Sequence, residues 1–306
     1  MKNAKRFYSL VSLFLLSIVA GQASAKLNVL ACEPEWAALA ETLGKQHVEV
    51  FSATTAFQDP HHIEARPSLI ARARQADLLV CTGADLEIGW LPLLLRQSGN
   101  ARIQSGQPGY FLAAEQVELI EKTERVDRSM GDIHAAGNPH VHLDPYRLLE
   151  IARRLTERLV MIDAGNAQTY QENYHVFESR WQTAIRTWET RAQRLKGIKV
   201  VVQHRSWSYL LGWLGIEPIA DLEPKPGLPP TSGHLAGLLE RLANHRAGAI
   251  LIAAYQNDRG AQWLAGKTGI PVITLPFTVG GNKQAKDLFS LYDDTLNLLL
   301  EGVVKG

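Results

Sequence analysis

The chain has 306 residues, with 32 Lys+Arg against 31 Asp+Glu, 46% hydrophobic and 21% charged, which excludes disordered and fibrous classes and gives room for two domains. A net charge of +1 supplies no field for gripping nucleic acid or an anionic membrane.

Residues 1–25 begin with Lys2, Lys5 and Arg6, run apolar from Phe7 to Ala20 and end in Ala23-Ser24-Ala25. A basic start, a short apolar run and a small-x-small end are the build of a secretory signal peptide, too short for a spanning helix. Removing its three cations from +1 leaves −2 on the rest. No Cys stands at the cleavage point, which favours a soluble periplasmic protein over a lipoprotein. Export into an oxidising compartment also lets the only two cysteines, Cys32 and Cys81, pair with each other.

Lys26–Ala31 reads as a strand, Pro34–Leu43 as a helix stopped by Gly44, and Val48–Phe51 as a second strand followed by a polar loop, Thr54–Pro60. Pro67–Gln75 is helical, and Ala76–Cys81 is a buried-type strand ending at Thr82-Gly83. Strands alternating with short helices predict a parallel α/β sheet. Beyond Pro145, Leu148, Ile151, Leu155 and Leu159 recur at helical spacing. Asn166–Leu195 then holds no Pro or Gly and repeats Tyr170, Tyr174, Phe177, Trp181, Ile185 and Trp188. At ~1.5 Å per residue that span is about 45 Å long, and it predicts a helix crossing between two lobes. After Gly197 the alternation returns, with strands at Ile198–Gln203, Ala249–Ala253 and Val272–Leu275. Helices are expected at Trp207–Trp213, Leu235–Asn244, Gly260–Gly269 and Asp287–Leu300. The expected fold is α/β: a signal peptide (1–25), an N-terminal lobe (26–163), a long linking helix (164–196) and a C-terminal lobe (197–306).

Three of the ten histidines sit where a strand or loop meets the next element, which is where sites form in open α/β sheets. His61 lies in Asp59-Pro60-His61-His62, His140 in Asn138-Pro139-His140-Val141-His142-Leu143-Asp144-Pro145, and His204 ends a strand. Neutral imidazole is a common zinc ligand, but the three lie too far apart to show a ligand spacing. Most loop histidines are simply exposed or hydrogen-bonded. His134, His47, His175, His234 and His245 carry no supporting context. Glu223–Pro230 reads as a stiff proline-rich loop, near enough to His204 to border a cleft.

The chain resembles the periplasmic zinc/manganese solute-binding proteins of metal ABC transporters. Asp59-Pro60-His61 with Glu64 and Pro67-Ser68 is similar to the family's first histidine loop. Ala76-Asp77-Leu78-Leu79-Val80 with Thr82-Gly83, Leu86-Glu87 and Trp90-Leu91 is similar to its next segment. Asn138–Pro145 resembles its DPHVWLDP segment, with His142 at the Trp position, and His204-Arg205-Ser206-Trp207 resembles the stretch bearing its third histidine. The likeness runs through the whole mature chain in order. It implies two lobes, each with a mostly parallel sheet flanked by helices, a rigid helix joining them, and a metal in the cleft. It assigns ligand roles to His61, His140 and His204 and non-ligand positions to His62 and His142. It also makes the strands ending at Cys32 and Cys81 sheet neighbours, so a disulfide between them is expected.

Two departures stand out. Ala254 occupies the place where many members carry an acidic ligand, so Asp258 or water is expected to complete the site. The long His- and acid-rich loop of zinc members is missing, since Glu121–Gly137 holds only His134 and a few acids. The resemblance implies capture of one Zn²⁺ per chain, delivery to a membrane ABC permease, no enzymatic activity and a monomer, with a periplasmic zinc chaperone as a further partner. Manganese ranks second because Mn²⁺ prefers more oxygen ligands than are offered here. A secreted zinc hydrolase ranks below it: three His with an open position is a catalytic pattern, but Asp59 and Glu64 are read as fixing the loop and orienting an imidazole.

Overall fold

The computed structural model describes residues 25–123 and 131–304, so the signal peptide read at residues 1–25 lies outside the described residues but for Ala25. The first lobe runs β1 (Leu27–Ala31), α1 (Pro34–Gly44), β2 (Val48–Ser52), α2 (Pro67–Gln75), β3 (Leu78–Cys81), α3 (Leu91–Ser98) and β4 (Tyr110–Leu112). All four strands pair in parallel, in the order β2-β1-β3-β4. Two helices follow, α4 (Pro145–Ile162) and α5 (Ala167–Ala192). The second lobe is β5 (Lys199–Val202), α6 (Ser208–Leu214), β6 (Glu217–Asp221), α7 (Ser232–Asn244), β7 (Ala249–Ala253), α8 (Arg259–Thr268), β8 (Val272–Leu275) and α9 (Leu288–Val304). Its sheet, β6-β5-β7-β8, is again parallel and repeats the order of the first.

Local chemistry explains much of this. Helices α1 to α4 each carry Pro in the first turn, where its missing N–H costs nothing. Asp144 caps α4, its Oδ1 accepting the N–H groups of Tyr146 (2.9 Å) and Arg147 (3.0 Å). Strands β3 and β7 are buried along their whole length, as central parallel strands covered on both faces must be.

The long helix is slightly shorter than its sequence pattern, because Gln193–Leu195 continues it as a 3₁₀ turn. Its stripe Tyr170, Tyr174, Phe177, Trp181, Ile185 and Trp188 is buried and packs on α1, α4 and α9. Trp181 meets Phe289 of α9 edge-on at 4.9 Å, and Trp188 stacks on Tyr292 at 4.8 Å. One apolar core therefore runs without a break from β1 through α5 to α9. Helix α5 is a wall common to both lobes, not an exposed rod.

Three elements escape the sequence pattern: α3, β4 and β6. Strand β4 has three residues. Strand β6 carries Pro218 at a sheet edge opposite a register shift at Val200/Val201, an arrangement edge strands tolerate and alternation rules miss. Trp207 belongs to a 3₁₀ turn ahead of α6.

Cys32 and Cys81 form a disulfide, with Cα atoms 4.7 Å apart. The pairing Ala31↔Val80 brings both to the same sheet edge. His142 ties the lobes together from inside. Its Nε2–H donates to the Phe277 carbonyl (3.0 Å), and its Nδ1 faces Glu35 of α1 at 3.3 Å. Among the described residues, no helix is long and apolar enough to cross a membrane.

Candidate metal centre

The loops at the C-terminal edges of the two sheets bring His61, His140 and His204 together. One ligand atom of each lies within 4.8 Å of the others, and their ring centroids form a near-equilateral triangle of 5.9–6.1 Å. His61 is half-buried; His140 and His204 are buried.

Two of the three are built the same way. In Asp59-Pro60-His61 the Asp59 Oδ1 accepts both the His61 backbone N–H (3.0 Å) and its Nδ1–H (2.8 Å). In Asn138-Pro139-His140 the Asn138 Oδ1 accepts the His140 N–H (3.0 Å) and Nδ1–H (2.8 Å). A short polar side chain two residues before the histidine, with proline between to fix φ, closes a turn and sets the ring in one step. The loops are pinned in turn by Trp90 Nε1–H on the Pro60 carbonyl (2.9 Å) and Tyr209 Oη–H on the Asn138 carbonyl (2.8 Å). His204 lies two residues past β5 and has no such neighbour. Its Nδ1–H donates instead to Glu223 Oε2 at 2.7 Å.

All three rings therefore spend Nδ1–H on an oxygen acceptor, which fixes the tautomer and leaves Nε2 as the nitrogen that carries the lone pair. His140 Nε2 is buried with no hydrogen-bond partner, as expected of a nitrogen waiting for a cation. Burial first, then the neighbouring His204 and His61, hold the His140 imidazole well below its ordinary pKa and keep it neutral. Burial alone would raise the Asp59 carboxyl, but the hydrogen bond and charge of His61 outweigh it and leave it below its usual value. The residues fit a borderline divalent ion bound through nitrogen. His61 and His204 lie on the wall of a cleft of about 660 Å³ that Tyr255 and Trp263 of the second lobe also line, and His140 lines the adjoining hollow beside His204.

Asp258 does not join them. It is exposed, its carboxylate accepts from Gln262 of its own helix (3.3 Å), and Ala254 is half-buried beside it. His62 is exposed, and His142 has both ring nitrogens engaged away from the cleft. Glu64 is exposed.

Sequence reasoning missed three contributors. Glu223, in the proline-rich loop, orients His204. Asn138 orients His140, and its likeness to Asp59 in the repeated polar-Pro-His pattern was the available signal. His134 places its Nε2 3.3 Å from His61 Nε2, and burial, then His61 and His204, push its pKa down to about 4.

Beneath the first lobe's edge lies a buried acid pair. Glu87 accepts the N–H groups of Thr82 (2.7 Å) and Gly83 (3.0 Å), and Thr82 Oγ1–H donates to Glu33 (3.0 Å). Burial, then the charge of Glu87, raises the Glu33 carboxyl well above its ordinary value, and burial pushes Glu87 up to about 7.

Residues 29–302 match the family described as zinc-uptake complex component A, periplasmic (ZnuA). The high-affinity zinc uptake system protein ZnuA of Bacillus subtilis (strain 168) is 24% identical over 251 residues, 80% of this chain and 76% of that protein. The manganese ABC transporter substrate-binding lipoprotein PsaA of Streptococcus pneumoniae is 20% identical over 315 residues, 98% and 100% of the two chains. Among solved structures, a crystal structure of ZnuA superposes with TM-score 0.71 at 18% identity, covering 90% of this chain and 98% of that one. The manganese-bound periplasmic metal-binding protein of Candidatus Liberibacter asiaticus superposes with TM-score 0.73 at 17% identity, covering 91% and 100%.

Proposed function

The chain belongs to the ZnuA family of metal ABC transporter substrate-binding proteins, and we propose that it captures Zn²⁺ in the periplasm through His61, His140 and His204 and delivers it to a membrane ABC permease. One observation carries the choice of zinc. The oxygen-bearing side chains nearest the three rings, Asp59, Asn138 and Glu223, all turn their acceptors to an imidazole Nδ1 and leave the ring nitrogens facing the cleft. Zinc accepts an all-imidazole set, whereas Mn²⁺ is better served by carboxylates. A hydrolase would need a base aimed at metal-bound water. Asp59 is taken up by His61, and Glu64 is exposed. Competition between Zn²⁺ and Mn²⁺ for the full chain tests the reading. Zinc is expected to displace manganese and not the reverse; preferential manganese retention sinks it.

A further inference from the structure

We propose that His134 supplies the fourth zinc ligand, in the place where the family pattern suggested Asp258 or water; the inference rests on the zinc reading above.

Three imidazoles leave one corner of a tetrahedron open. His134 lines the same hollow as His140 and His204 and comes to His61 from a separate loop. The His134 Nε2 to His61 Nε2 separation is 3.3 Å. Two nitrogens bound to one tetrahedral zinc at about 2.0–2.1 Å stand about 3.3–3.4 Å apart, so this edge of the tetrahedron already has its bonded length. His134 stands outside the set of ligand atoms that lie within 4.8 Å of one another, so closing the tetrahedron brings its ring and those of His140 and His204 together around the ion.

The loop bearing His134 is held for this task. Asp132 N–H donates to the Pro226 carbonyl (2.9 Å), and Gly137 N–H closes a turn on the His134 carbonyl (3.2 Å). Gly131 has φ +83°, and a Cβ there would lie 2.1 Å from the Pro226 oxygen; a Cβ on Gly227 would lie 2.1 Å from Asp132 Oδ2. Only glycine fits either place. This clips the first lobe's His134 loop to the second lobe's proline-rich loop, whose Glu223 Oε2 accepts the Gly227 N–H (2.8 Å) while orienting His204. His134 and His204 are thus positioned by one shared strap.

X-ray absorption at the zinc edge of the loaded full chain, with chelator-competition affinities, tests this. The wild type should show four imidazoles. His134→Ala should show three plus an oxygen, with affinity reduced by no less than the roughly 10–100-fold that losing an outer partner costs. His134→Gln, which keeps bulk and polarity, should lose the fourth imidazole too, which guards against a loop collapse in the alanine variant. Three imidazoles in the wild type, unchanged in both variants, overturn this inference alone and reduce the 3.3 Å contact to a hydrogen bond between rings. Failure of the wild type to bind zinc overturns it together with the function above.

Discussion

The Glu223 carboxylate stands 2.7 Å from His204 Nδ1, and the same oxygen accepts the Gly227 N–H at 2.8 Å. One atom thus fixes both the ring and the loop that delivers it. Glu223→Ala should weaken zinc binding by roughly 10–100-fold, and Glu223→Gln, which can still accept, should weaken it less. Chelator competition measures both, and an alanine variant with wild-type affinity would deny Glu223 its orienting role.

Metal binding is expected to move loops, not lobes. The aromatic stripe of α5 is buried in a core continuous from β1 to α9, and His142 joins Glu35 to Phe277 across the lobes. Wide hinge closure requires a few free linker residues, and here the linker is core. Small-angle scattering of apo and zinc-loaded protein should nearly superimpose. A marked fall in radius of gyration on loading would contradict this.

The Cys32–Cys81 bridge closes a span of 49 residues, worth about 4 kcal/mol in the chain-entropy view. A Cys32→Ala/Cys81→Ala variant should melt on the order of 10 °C lower yet still bind zinc, since neither sulfur faces the three histidines. Denatured, unreduced wild-type protein should titrate no thiol; two reactive thiols would refute the bridge.

The Glu33–Glu87 pair predicts a pH dependence of the apo protein. Both carboxyls are raised, Glu87 to about 7 against an ordinary 4.5, so between those values the folded state binds more protons than the unfolded. Stability from the pair is full below about pH 4.5 and is lost as the pH rises toward 7. Glu33→Gln cannot ionise and should flatten that slope. Denaturant unfolding at pH 5 and 7.5 reads it, and equal slopes in wild type and variant would rule the pair out as the cause.

The parts legible in the sequence were those with local causes. Helical spacing in Tyr170–Trp188 and apolar runs such as Ala249–Ala253 mark elements whose burial follows from their own pattern. The two polar-Pro-His segments likewise carry their own orienting acceptor. Long-range placement was illegible. Glu223 is 19 residues from His204 and His134 is 73 from His61, and nothing nearby in sequence marks either as a partner. Asp258 lies just past β7, but α8 begins directly after it and leaves its carboxylate with Gln262.

Zinc titration of His140→Ala beside the wild type tests the central claim most directly, because His140 Nε2 is buried in the centre with no hydrogen-bond partner. The wild type should bind one zinc per chain, and the variant should bind it on the order of a hundredfold or more weakly. An alanine variant with the wild-type stoichiometry and affinity would show that the three histidines are not the site.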